Sequence, residues 1–163
     1  MNLLILTTCH FLHLIATVVW IGGILMILLV LLPGAKASME SGSMISGLMK
    51  EISNRFTPMA NISIIVLIIT GIVSAFYDKN FTNILDFRNH WNQVMILKHL
   101  FVASMIIIHF YRGLILNPKI ARLSAEPDES GIAKLKQYSL NLVWINLFLG
   151  LIVLFLSAII STI

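Results

Sequence analysis

Few side chains in this sequence can do chemistry, and they are gathered in two places. Residues 10–23 read HFLHLIATVVWIGG, with Cys9 just before them, so a thiol and the imidazoles of His10 and His13 open an apolar stretch. The second group lies within MILKHLFVASMIIIHF, which holds Met95, Lys98, His99 and His109. Imidazole, thiolate and thioether are ligands for soft and borderline metals. An imidazole facing hydrocarbon without a partner is costly, and ionisable groups inside apolar segments mark ion, proton or cofactor positions. The plain alternative is a hydrogen bond across to a neighbouring helix, for which Thr17, Thr70 and Ser104 are available.

The elements that must position these groups are membrane helices. The chain has 163 residues, of which 58% are hydrophobic and 11% charged, against about 25% charged in a soluble domain. Apolar runs of the roughly 20 residues needed to cross a bilayer fall at 9–32, 58–77, 94–116 and 139–162. They are continuous rather than alternating, which excludes a β-barrel. The expected fold is all-α and integral to the membrane, a single domain of four transmembrane helices in one bundle, in contact with lipid. No internal repeat or low-complexity tract stands out. Ala35-Lys36-Ala37 resembles a signal-peptide cleavage site, but no basic segment precedes the first run and that run is too long for a signal core.

Lysine and arginine in the connections set orientation. Lys36, Lys50 and Arg55 lie in the first, and Lys119, Arg122, Lys134 and Lys136 in the third, while the second has Lys79 and Arg88. The first and third connections are therefore expected in the cytoplasm and both termini on the extracytoplasmic side. The formal charge of +4 resides in these connections, so topology explains it and no nucleic-acid partner is expected. A lone cysteine provides no intrachain disulfide.

At about 100° per residue, His10, His13, Thr17, Trp20 and Ile24 are expected on the interior side of the first helix. Pro33-Gly34 should end it, and Gly22-Gly23 should admit a close neighbour. Pro58 should stand in the first turn of the second helix, where Ser63, Thr70, Ser74 and Tyr77 share a face. Lys98, Val102, Met105, His109 and Arg112 form a stripe on the third, with Arg112 free to snorkel. Asn146, Gly150, Val153, Ser157 and Ser161 form a small, polar seam on the fourth. The polar segment 78–93 should lie at the outer interface with His90 solvated.

His13 precedes Leu32 by 19 residues, and Lys98 and His99 precede Leu116 by 18 and 17. At 1.5 Å per residue these heights agree within roughly 3 Å. Two helices can hold a haem between axial ligands in this way. His13 is the expected first ligand to the haem iron and His99 the second, ahead of Lys98, because a lysine must first lose its proton. His10, one turn from His13, widens the choice. His109 lies roughly 15 Å deeper than His99. The rival is copper, held by Cys9, His10, His13, Met95 and His99.

The segments HLIATVVWIGGILMILLVLLP and RFTPMANISIIVLIITGI, with Lys98 opening the third helix, resemble the CopD-like copper-resistance membrane domain. The closing LNLVWINLFLGLIVLFLSAII is also similar to that family's last helix. The same landmarks resemble the HemJ-type protoporphyrinogen oxidases, whose H-x-x-A-x-x-x-W pattern matches His13 to Trp20. Their lysine after an outer tryptophan matches Lys98, their His-x-Tyr segment matches His109, and Thr57-Pro58 is similar to their second-helix opening. The fourth helix departs from them, with only Trp144-Ile145-Asn146 where that group has an Asn-Glu-Ile-Pro-like stretch. The resemblance implies haem b in the one direction and copper uptake or resistance in the other.

The combined expectation is a b-type haem near the outer face of a prokaryotic plasma (inner) membrane protein. It would act in electron transfer or as an oxidoreductase component with an extracytoplasmic redox partner. Copper transport with a metal-delivery partner is the alternative, and a structural subunit of a larger membrane complex the second alternative.

Overall fold

The computed structural model describes residues 3–77, 90–124 and 129–162, which contain helices and no strand. Four helices are long and apolar enough to cross a membrane. We label them α1 (Leu3–Ser38), α2 (Gly42–Phe76) and α3 (His90–Leu123), and α4 (Glu129–Ile160). The chain divides into two compact units, Met1–Phe81 and Thr82–Ile163, each a pair of helices.

Every helix outruns its apolar stretch. The 36 residues of α1 extend about 54 Å at 1.5 Å per residue, well beyond a hydrocarbon core of about 30 Å. Apolarity sets how much of a helix lies in lipid, whereas its hydrogen bonds continue into polar flanks. Pro58 consequently stands inside α2, not in its first turn. Its missing N–H leaves the Asn54 carbonyl without its usual donor, and the Thr57 Oγ1 beside it donates one residue earlier, to the Ser53 carbonyl at 2.7 Å. The preceding turns are supported by an exposed Arg55–Glu51 pair at 2.7 Å.

Pro33 does not end α1 either. It follows a π-helical turn at Ile27–Leu31, and the helix resumes at Leu32–Ser38. A π-turn places one extra residue in the coil, which relieves the clash of the proline ring with the preceding turn. The same device recurs in α3, where a π-turn at Arg112–Leu116 precedes Pro118. A further π-turn, Val18–Gly22, surrounds the buried Trp20. Helix α1 stops only where Met39 becomes extended.

In the first unit α1 packs along α2. Buried Ala16, Trp20, Ile21, Ile24 and Leu28 on α1 lie with buried Ala60, Ser63, Ile64 and Thr70 on α2. Early α1 meets late α2 (His13 with Thr70) and later α1 meets earlier α2 (Gly23 with Phe56), so the pair is antiparallel. A Cβ on Gly23 would overlap the Phe56 ring, so this glycine admits the neighbour expected of it. In the second unit α3 packs along α4, and Trp91, Asn92, Met105 and Leu116 are buried, as are Ser139, Asn146, Leu147, Val153 and Leu156. The expected seam of α4 is inward at Asn146, Gly150 and Val153, while Ser161 is exposed. Trp91 and Asn92, expected at an interface, are buried instead. Residues 78–89 of that segment lie outside the described residues.

The pairs share a register. Trp20 and Met105, each 1% exposed, stand the same distance before Pro33 and Pro118. Buried Ser63, Ile64 and Thr70 repeat in spacing as buried Asn146, Leu147 and Val153. The pattern of burial thus repeats from one pair to the next, although no sequence repeat stands out. By the same spacing His13 is equivalent in position to Lys98, and Thr70 to Val153. Outward faces of the spans are mostly apolar, as Val18, Ile107 and Phe155 show at 69%, 68% and 67% exposure. Such surfaces are at home only in lipid.

Candidate functional site

The polar centre of the first unit is Thr70. Its hydroxyl lies 2.6 Å from the Val66 carbonyl, to which it donates, and 2.7 Å from His13 Nδ1. A hydroxyl has one proton to give. With that proton on Val66, the bond to the ring must run from His13 Nδ1–H to Thr70 Oγ1. The imidazole is thereby fixed with its lone pair on Nε2, the form that binds metals. The Thr70 carbonyl meanwhile accepts from the Cys9 thiol at 3.6 Å. One residue of α2 therefore anchors two ligand-type side chains of α1 that stand one helical turn apart. His13 Cε1 would lie 3.7 Å from a Cβ placed on Gly71, so the ring rests against bare α2 backbone.

The other candidate hydroxyls are spent on their own helices. Thr17 donates to the His13 carbonyl at 2.8 Å and Ser104 to Leu100 at 2.9 Å, which singles out Thr70 among the three. Ser74, one turn along α2 from Thr70, has a buried hydroxyl with no hydrogen-bond partner. Its ordinary acceptor would be the carbonyl four residues back, and that is the Thr70 carbonyl engaged by Cys9. Cys9 is buried.

His10 is exposed and leaves the interior face assigned to it. The buried line of α1 runs through Cys9, Ala16 and Trp20, with His13 about 40° and His10 about 100° away from Cys9 at helical spacing. Counting from His10 had set the face one residue off. Cys9 occupies the inward position, and only His13 and Cys9 of the first group come together.

On α3 the expected stripe holds. Met105 is buried, while Lys98, Val102, His109 and Arg112 are half-buried. His99 is exposed, and its Nδ1–H donates to the Met95 carbonyl one turn back at 2.7 Å. That bond leaves the His99 lone pair on Nε2 as well, but aims the ring along its own helix. Met95 is half-buried, and His109 meets Phe110 edge-on with ring centres 5.4 Å apart. His90 is exposed, as expected of a solvated residue. Among the described residues no three or more His, Cys, Asp or Glu side chains gather as a metal cluster.

A copper ion fits the Cys9–His13 pair by donor chemistry, since thiolate and imidazole together suit Cu(I). The model of the family described as copper resistance protein D matches residues 50–160. None of the curated proteins and none of the solved structures compared with the chain matches it. The family favours copper over haem as the object handled, and nothing in it supports the HemJ direction. The match begins in the polar first half of α2, runs through Pro58 and Thr70, and continues to the last turn of α4. With more than half of its length so matched, the chain belongs to the copper resistance protein D family of membrane proteins.

Proposed function

We propose that the protein handles copper at the membrane, with Cu(I) as cargo taken by Cys9 and His13 near one end of the first helix pair. The observation that carries this reading is the convergence of both side chains on Thr70. Coordination replaces the thiol proton of Cys9 with the metal, and the proton leaves to solvent. A thiolate and a monovalent ion sum to a neutral pair, which avoids the cost of placing net charge in a low-dielectric seam. A divalent ion on the same two ligands would keep a positive charge there. Thr70 accepts from the Nδ1–H of His13, so coordination through Nε2 requires no further proton loss. As Cys9 releases the Thr70 carbonyl, the Ser74 hydroxyl one turn away gains an acceptor.

Loop charge supports placing both termini, and so this end of α1, on the extracytoplasmic side of the membrane, which in this reading is a prokaryotic inner membrane. An extracytoplasmic metal-delivery partner would then supply the ion. Exposed His10 precedes His13 by one turn and suits first contact with it.

The purified protein, loaded with Cu(I) under reducing conditions, tests the reading. Expected is one copper per chain and no Soret absorption. Cys9→Ser and His13→Ala should each lose the metal, and His10→Ala should keep it. A Soret band that disappears in both His13→Ala and His99→Ala would replace copper with a b-type haem.

A further inference from the structure

We propose that the second helix pair carries a binding site for a phosphate group, that of an anionic lipid headgroup, built on Arg112 with Ser139. Arg112 is the first residue of the π-turn Arg112–Leu116, about 6 Å along the helix from Leu116. From there a guanidinium can reach the headgroups by snorkelling. It does something else. The side chain is half-buried, and its Nε donates across to Ser139 Oγ on α4 at 3.2 Å. Ser139 is only 7% exposed, so the arginine stem is drawn into the seam between α3 and α4.

That bond uses one of five guanidinium donors and supplies no negative charge. Among the described residues the one ion pair is Arg55–Glu51, so none of their carboxylates balances Arg112. The Ser139 proton is also unspent, whereas Ser124 and Ser157 donate theirs to carbonyls of their own helices. A fork of donors beside a hydroxyl, without an anion, calls for a group with several acceptor oxygens and negative charge. Phosphate meets the planar fork with two oxygens at once.

Lipid is the source that the surroundings favour. Leu114 and Ile115, in the same π-turn, are 72% and 57% exposed, which puts the arginine beside a lipid-facing wall. Lys119, on the next turns of α3, and Lys136, one turn before Ser139, are both exposed. Basic groups at headgroup level between packed helices recruit anionic lipids. The site belongs wholly to the second pair and is independent of the copper reading.

The full-length protein, delipidated and reconstituted in phosphatidylcholine, would be tested with phosphatidylglycerol or with inorganic phosphate. Thermal unfolding and native mass spectrometry give the readouts. Phosphatidylglycerol should raise the unfolding temperature and one molecule should be retained. A rise with inorganic phosphate in place of lipid keeps the anion site and names free phosphate as its source. Arg112→Gln should lower retention at least tenfold and abolish the rise, Ser139→Ala should weaken both, and Lys36→Gln should change neither. Should Arg112→Gln fail to insert, Arg112→Lys keeps the charge without the fork and should retain less lipid than the wild type. Equal retention by wild type and Arg112→Lys, equal responses of wild type and Arg112→Gln, or no response to either phosphate source would overturn the proposal.

Discussion

Replacing Thr70 by valine removes one oxygen and tests the whole arrangement of the first helix pair. The branched shape is kept, and the backbone carbonyl that accepts from Cys9 is untouched. What disappears is the acceptor of His13 Nδ1–H. Hydrogen bonds between membrane helices contribute about 0.6 kcal/mol on average and about 1.7 at most. Where the ring N–H left behind finds no other acceptor, the loss becomes its full desolvation cost of about 1–3 kcal/mol. The stability loss should therefore lie near 1–3 kcal/mol, small enough for the protein to remain folded. The effect on copper should be larger in kind. Losing the group that orients a metal-bound histidine typically costs about 10–100-fold in affinity, or about 1.4–2.7 kcal/mol. Competition against a chromophoric Cu(I) chelator measures this directly, with Thr70→Ser as the control that restores the hydroxyl. If Thr70→Val holds copper within about twofold of wild type while Cys9→Ser and His13→Ala lose it, the orienting role is refuted.

Three further outcomes are expected. Ser74→Ala should leave the copper-free protein as stable or slightly more so, because it deletes a buried hydroxyl without a partner, yet weaken copper binding a few-fold in the same competition assay. Gly23→Ala should destabilise by about 1–3 kcal/mol through overlap with the Phe56 ring, and unfolding of the double variant with Phe56→Leu should show recovery. In intact cells, a cysteine at Asn83 should react with an impermeant thiol reagent and one at Ser130 should not; the opposite labelling reverses the orientation inferred from loop charge.

The four spans were legible because a bilayer demands apolar runs of a certain length, and the small seam of α4 because burial in a membrane favours compact side chains. Helix ends were not. The prolines at 33, 58 and 118 look like boundaries, but π-turns carry α1 and α3 past theirs and α2 runs straight through Pro58. Those repairs depend on backbone geometry that residue types alone do not announce. The face of α1 was misjudged at His10 because two histidines three apart draw the eye, while a buried Cys9 looks like any small apolar residue. Thr70 was one of three hydroxyls able to meet a histidine. Only the antiparallel placement of α2 against α1 picks it out. His99, matched to His13 by height, lies on the exposed side of its own helix, a matter of azimuth that depth counting does not address.

The π-turns change how this chain can tolerate gain and loss of residues. In an ordinary α-helix, deleting one residue swings everything beyond it by about 100° and moves the inward stripe to a different side. Within Ile27–Leu31 or Arg112–Leu116 the coil already holds a surplus residue. Deleting it there would close the wide turn into a regular one, and the segments on either side would keep their facing. Such places are safe seams for length change in a protein whose spans are otherwise fixed by the bilayer. The end of α1 that carries Cys9 and His13 lies upstream of the seam at Ile27–Leu31, so the polar end of the helix can drift in length while both side chains continue to meet Thr70.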